Sequence, residues 1–243
     1  MTRELQGKRI AILVTDGVER IELEQPRGAL YGAGATSELL SIHPGEIQAR
    51  QFDMVSAGTF PVDLEVSDAS VDDYDALLLP GGTVNPDNLR LNRDAINFVK
   101  NFVSTGKPIA AICHGPWTLL EAGATRGRRM TSWPSLQTDL RNAGADWVDE
   151  EVVVDGQLIT SRGPNDLPAF CAAIVEQLAQ IRQPTAADER GNPARRCCSA
   201  KLPCRDESVL PHGSGGSVRL SLPPCTLGRV TIESSPQEGS RRG

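Results

Sequence analysis

The chain has 243 residues, 39% of them hydrophobic, which is enough for a real core in one large or two small domains. Its formal charge of −6 is unevenly divided: residues 184–243 carry nine Lys and Arg against six Asp and Glu, net +3, leaving 16 against 25, net −9, for residues 1–183. An acidic body argues against a nucleic-acid surface, the charged opening MTRELQGKR lacks a leader's apolar stretch, and no run nears the roughly eighteen apolar residues of a membrane span, so a cytoplasmic protein without nucleic-acid or membrane partners is expected.

Taken in order, residues 8–14 form a β-rich apolar run ending in Thr15-Asp16-Gly17, a first buried strand, and residues 21–33 offer a helix closed by Gly32 and Gly34. Glu19 stands between them. An acid near a helix start is commonly a surface residue that stabilises the dipole, and Glu22 and Glu24 read the same way more strongly. Residues 35–42 read as a second strand, and residues 54–66 hold alternating pieces that suit an edge hairpin, with His43 a loop residue before Pro44-Gly45. Residues 74–79 are a further continuous apolar run, closed by Pro80-Gly81-Gly82. Two glycines after a strand leave backbone N–H groups uncovered, able to receive an oxyanion or simply to make a tight turn. Residues 93–105 are strongly periodic and predict a helix, with Ala95, Ile96, Val99, Phe102 and Val103 on one face and Gly106 at its end.

The next stretch, GKPIAAICHGPWTLLEAG at 106–123, carries the densest signal. Residues 108–112 are a short buried strand and residues 117–122 recover helical spacing, so the chain turns sharply between them, and Cys113 sits at the turn. The positive end of the following helix would favour thiolate over thiol there. Ala111 and Gly115, two positions either side, are the small residues that a tight strand-to-helix elbow requires, as in the G-x-S-x-G nucleophile elbow. The pattern also fits a buried structural cysteine; the following His-Gly-Pro favours chemistry.

Beyond the elbow, residues 129–131 suggest a short strand and residues 135–143 a helix stopped by Gly144. Residues 147–154 and 157–161 flank Asp155-Gly156, the strongest hairpin signal in the chain, and residues 167–181 close the body as a helix with Cys171 in its core face. Strands alternating with helices predict a mainly parallel sheet covered on both faces, with the Gly82 and Cys113 turns opening on one edge. From residue 184 the composition turns to Pro, Ser, Gly and Arg without an aromatic residue, which predicts a disordered tail after a domain at 1–183. Four of the six cysteines, Cys197, Cys198, Cys204 and Cys225, lie in that tail, and with His212 they fit no usual zinc spacing. No metal or other cofactor is expected.

The body resembles the ThiJ/PfpI family, in the branch named as intracellular cysteine peptidases and general stress proteins. The resemblance rests on DGVERIELEQP at 16–26, DALLLPGG at 75–82, the elbow stretch at 106–123 and residues 142–170, and covers about residues 8–180. It implies a flavodoxin-like, class I glutamine-amidotransferase-like three-layer α/β/α sandwich. It also implies Cys113 as nucleophile, His114 as its imidazole partner, Glu19 within reach of the thiol, and backbone amides of Gly82 and His114 for the oxyanion. In the family a further acid reaches the histidine from a neighbouring subunit; the matching place in TVNPDNLRLN at 83–92 is Asp87, so a homo-oligomer is expected.

The residues themselves add two conditions. Sequence neighbours do not face each other on a helix, so His114 can serve Cys113 only if the elbow is strained. Glu19 raises the thiol pKa if ionised and lowers it if protonated and donating, leaving acid, base and tuner all open. Three functions follow: a stress-related cysteine enzyme acting on reactive carbonyls or glycated groups (glyoxalase or deglycase), an intracellular cysteine peptidase, and a non-enzymatic redox sensor using the same cysteine. A glutaminase is disfavoured, because the sole histidine after His114 is His212, in the tail.

Overall fold

A computed structural model describes residues 4–180, so the expectations for the tail at 184–243 lie outside the described residues. The chain opens with β1 (Arg9–Leu13), β2 (Val18–Glu19) and α1 (Arg20–Gly32), then β3 (Thr36–Ser41), β4 (Glu46–Gln51), β5 (Val55–Pro61), β6 (Leu64–Glu65) and β7 (Ala76–Leu79). It continues through α2 (Val84–Leu91), α3 (Arg93–Ser104), β8 (Ile109–Ile112) and α4 (Pro116–Glu121) to β9 (Arg129–Met130) and α5 (Gln137–Asn142). It closes with β10 (Asp146–Trp147), the hairpin β11 (Val152–Asp155) and β12 (Leu158–Ser161), and α6 (Leu167–Gln180).

Seven strands make one sheet in the order β11-β12-β8-β7-β1-β3-β6. Every neighbouring pair is parallel except β11 with β12. Alternation along each strand sends its side chains to opposite faces. Ile10, Ile12, Leu78, Ala110 and Ile112 join Leu23 and Leu30 of α1 and Phe170 and Ile174 of α6 in one core. Ala11, Leu13, Leu77, Leu79 and Ala111 meet Phe98, Val99 and Phe102 of α3, Leu119 of α4 and Leu140 of α5 in the other. The result is the flavodoxin-like three-layer α/β/α sandwich. Among the described residues, no helix is long and apolar enough to cross a membrane.

The hairpin at 54–66 takes a different form from the one expected. β5 pairs antiparallel with β4, and β2 completes a separate three-stranded sheet, while β6 joins the main sheet beside β3. The β4–β5 turn puts Phe52 and Asp53 in the left-handed region, at φ 52° and 60°. β1, β7 and β8 all release their chains at one edge of the main sheet, which brings the Thr15–Gly17, Gly81–Gly82 and Cys113 turns together.

Candidate active site

Cys113 has φ 60°, a conformation that costs a non-glycine residue about 1–2 kcal/mol, and the surrounding backbone enforces it. Its N–H donates to Ser161 O on β12 (3.0 Å), its carbonyl accepts from Trp133 N (2.8 Å), and Gly115 N donates to Ile112 O (2.8 Å). Pro116 then opens α4 at its first position, where the missing N–H is harmless. A Cβ at Gly115 would lie 2.4 Å from Leu79 O and 2.9 Å from Ile112 O, so only glycine passes between the two strand ends.

This strain is what turns two consecutive side chains toward each other: His114 Nδ1 lies 3.3 Å from Cys113 Sγ. The other ring nitrogen, Nε2, lies 3.2 Å from Ser135 Oγ, a residue without a sequence signal of its own. The ring is flanked by Trp117, edge-on at 5.2 Å, and by Trp133, stacked at 6.1 Å with 27° between planes. Burial pushes His114 below its ordinary pKa of 6.5, so the imidazole is neutral at physiological pH. The backbone N–H groups of Gly82 and His114, the two amides expected to face an oxyanion, both reach the Cys113 sulfur.

The carboxyl beside the thiol belongs to Glu22 and not to Glu19. Glu19 precedes the first turn of α1, and its carboxylate turns to the backbone N–H groups of Phe52 and Asp53. Glu22 is one turn further on and shares the buried stripe of α1 with Leu23, Pro26 and Leu30, so its side chain enters the interior and is fully buried. Reading it as a surface acid is therefore corrected; membership of that stripe was the available signal. Its Oε2 accepts from Gly81 N (3.0 Å), and its Oε1 has no hydrogen-bond partner among the described residues. A Cβ at Gly81 would sit 2.4 Å from Glu22 Oε2 and 2.6 Å from Cys113 Cβ, so this glycine is what lets carboxyl and thiol approach.

Burial, with the charges of Glu19 and Asp53 behind it, pushes Glu22 up to about 8. Burial first, then the Glu22 charge, pushes Cys113 well above its ordinary range, against the pull of the two amides. The expected lowering by a helix end does not decide the balance, since α4 has only six residues and burial outweighs it. The pair titrates as a unit. Each charge disfavours the other, so ionisation of the thiol is easier while Glu22 keeps its proton.

Two further residues shape the edge without a signal in the sequence. Asn85 is fully buried; its Oδ1 accepts from Thr15 N (2.7 Å) and its Nδ2 donates to Pro80 O (3.0 Å) and Gly81 O (3.1 Å), tying β1 and the double-glycine turn to α2. The Asp53 carboxylate accepts from Thr83 N (2.6 Å) and Thr83 Oγ1 (2.7 Å), pinning the β4–β5 turn over the start of α2. Asp87 is exposed on α2, and among the described residues no hydrogen bond or ion pair joins it to His114. Also among the described residues, no three His, Cys, Asp or Glu side chains are grouped as metal ligands.

A flavodoxin-like sandwich with a left-handed cysteine at a strand-to-helix elbow, a buried carboxyl against its sulfur and two free amides defines a class of cysteine-elbow proteins. The chain belongs to the DJ-1/PfpI family, whose model matches residues 8–177. It is 43% identical over 170 residues to a deglycase of Pyrococcus abyssi, a match covering 70% of this chain and 99% of that one. It is 41% identical to general stress protein 18 and 41% to the putative cysteine protease YraA, both of Bacillus subtilis, each match covering 68% of this chain and 94% of the relative. Among solved structures it is similar to a two-domain protein of Anabaena variabilis containing DJ-1/ThiJ/PfpI-like and ferritin-like domains (TM-score 0.65, 37% identity); that match covers 70% of this chain and 48% of the other. It is also similar to DJ-1beta of Drosophila melanogaster (TM-score 0.65, 28% identity), over 74% of this chain and 91% of that one.

Proposed function

We propose that this chain is a stress-related cysteine hydrolase of the PfpI type that acts on small reactive carbonyls, a glyoxalase or deglycase-like enzyme. The observation that carries the reading is the Cys113–Glu22 pair, a buried thiol and a buried carboxyl in hydrogen-bond contact, with the Gly82 and His114 amides at the same sulfur. The Pyrococcus relative named a deglycase supports it.

With methylglyoxal as substrate the atoms balance without an external oxidant. The Cys113 thiolate forms an S–C bond to the aldehyde carbon as the C=O π bond breaks. The developing oxyanion lies next to the Gly82 and His114 amides and takes the proton held by Glu22. The Glu22 carboxylate then removes the proton from that same carbon and delivers it to the ketone oxygen, giving an enediol. Glu22 then takes the hydroxyl proton from the sulfur-bearing carbon and passes it to the second carbon, so the C=O re-forms and a lactoyl thioester results. Water attacks it, the C–S bond breaks, and lactate departs as the thiol is restored. The aldehyde carbon is oxidised and the ketone carbon reduced, so substrate plus water equals product.

Cys113 is only 6% exposed, which favours a narrow aldehyde over a folded polypeptide and sets a peptidase second, despite the relative named a putative cysteine protease. The test is lactate release from methylglyoxal. Wild type producing none, or Cys113→Ala producing as much, ends the proposal.

A further inference from the structure

We propose that Ser135, through its hydroxyl at His114 Nε2, is the positioning residue that aims the imidazole at Cys113, supplied by the same chain; this rests on the reading of Cys113 as nucleophile.

The geometry is built around that contact. Nδ1 at 3.3 Å from the sulfur and Nε2 at 3.2 Å from Ser135 Oγ place the two nitrogens in a line from thiol to hydroxyl. The segment bearing Ser135 is fixed to the nucleophile itself, because Trp133 N donates to Cys113 O (2.8 Å). Leu136 N donates to Trp133 O (3.0 Å) to close the turn. Ser132 Oγ donates to the same Trp133 O (3.0 Å) and accepts from Trp147 Nε1 (2.9 Å). These bonds set the backbone that presents Ser135 to the ring, and the two indoles restrict rotation of the imidazole about its long axis.

Chemistry favours a hydroxyl here over a carboxylate. A neutral imidazole has one donor and one acceptor nitrogen. When Nδ1 accepts from the thiol, Nε2–H donates to Ser135 Oγ; when Nδ1–H donates to the thiolate, Nε2 accepts from the Ser135 hydroxyl. The same oxygen serves both states because it can donate and accept, so the ring keeps its aim as the sulfur gains or loses its proton. A carboxylate accepts only, and would hold the ring in the first state or as imidazolium. The rival is the family's arrangement, in which Asp87 of another copy takes the Nε2 position.

The experiment compares full-length wild type, Ser135→Ala, Ser135→Thr and Asp87→Asn. Expected for Ser135→Ala is an about fivefold slower alkylation of Cys113 by iodoacetamide and a similar loss in kcat for methylglyoxal, with KM within twofold and an unchanged thermal midpoint. Ser135→Thr restores both rates. In 15N spectra the His114 Nε2 resonance moves toward the value of an unbonded nitrogen in the Ala variant alone. Alkylation and kcat of Ser135→Ala within 1.5-fold of wild type, an unmoved Nε2 resonance, or that resonance responding to Asp87→Asn instead would overturn the proposal. Should wild type release no lactate, the carbonyl reading fails separately, and the alkylation rates and Nε2 resonance still decide the role of Ser135.

Discussion

Glu22 is fully buried against Cys113, with one oxygen bonded to Gly81 and the other unbonded, so ionising it removes a charge from water with little in return. Its pKa rises from an ordinary 4.5 to about 8 on folding, so the folded state holds the proton more tightly than the unfolded chain. The sign follows: the stability this group contributes is fully present below pH 4.5 and is lost as pH climbs through about 8. Urea denaturation of wild type should therefore show stability falling across that window. Glu22→Gln, which keeps an oxygen for Gly81 N–H and carries no charge, should flatten the slope, and an unchanged slope would contradict the assignment. The same substitution removes the group that protonates the oxyanion and then takes the carbon proton, so lactate production should fall at least about a hundredfold, at the lower end of general acid–base contributions. Cys113 and His114 were legible because the string A-I-C-H-G-P is rare and sits at a strand-to-helix turn. Glu19 was preferred to Glu22 because a helix stripe is read from apolar residues, and a buried carboxyl inside such a stripe looks like an interruption.

At the scale of elements, the edge works because glycines let backbones cross where side chains would collide. Gly81→Ala should cost several kcal/mol and abolish Cys113 alkylation, since its methyl would meet Glu22 Oε2 at 2.4 Å and Cys113 Cβ at 2.6 Å. Gly28, exposed in the middle of α1, gives the opposite case. Nothing lies within 4 Å of a Cβ there, so Gly28→Ala should raise stability by about 0.5–1 kcal/mol and leave the chemistry alone. Thermal melts of both check the pair. Asn85→Ala strands Thr15 N–H and Pro80 O in a buried place and should cost about 2–4 kcal/mol in urea denaturation, with loss of activity because the double-glycine turn is released. The helix bearing Asn85 was not legible. In TVNPDNLRLN the Pro86 and three asparagines give no helical period, yet Pro is tolerated in a first turn and Asp53 secures the N-terminus from another element. β4 was hidden for a related reason, having only Ile47 and Ala49 as buried apolar residues between charged and amide side chains.

At the scale of the molecule, a single sheet separates two cores that are mechanically joined through every strand. Phe170 and Phe102 are both fully buried, one in each core. Phe170→Ala and Phe102→Ala should each cost about 3–5 kcal/mol, and because the sites share no partner the double variant should equal their sum. Urea titration followed by fluorescence and by far-UV circular dichroism should still give coincident transitions; two separated ones would show that the layers unfold independently. The sandwich itself was legible throughout, since continuous apolar runs of four to seven residues alternating with periodic helices have few other solutions.

The way the main sheet stops has a consequence of its own. One border is β6, only two residues long, and the other is β11, where Asp155 is held by the Arg128 guanidinium and the Arg129 N–H. A neighbouring molecule looking for a free ladder to extend finds a stub on one side and a charged clasp on the other, so concentrated solutions of this protein should carry little risk of strand-by-strand polymerisation through the main sheet.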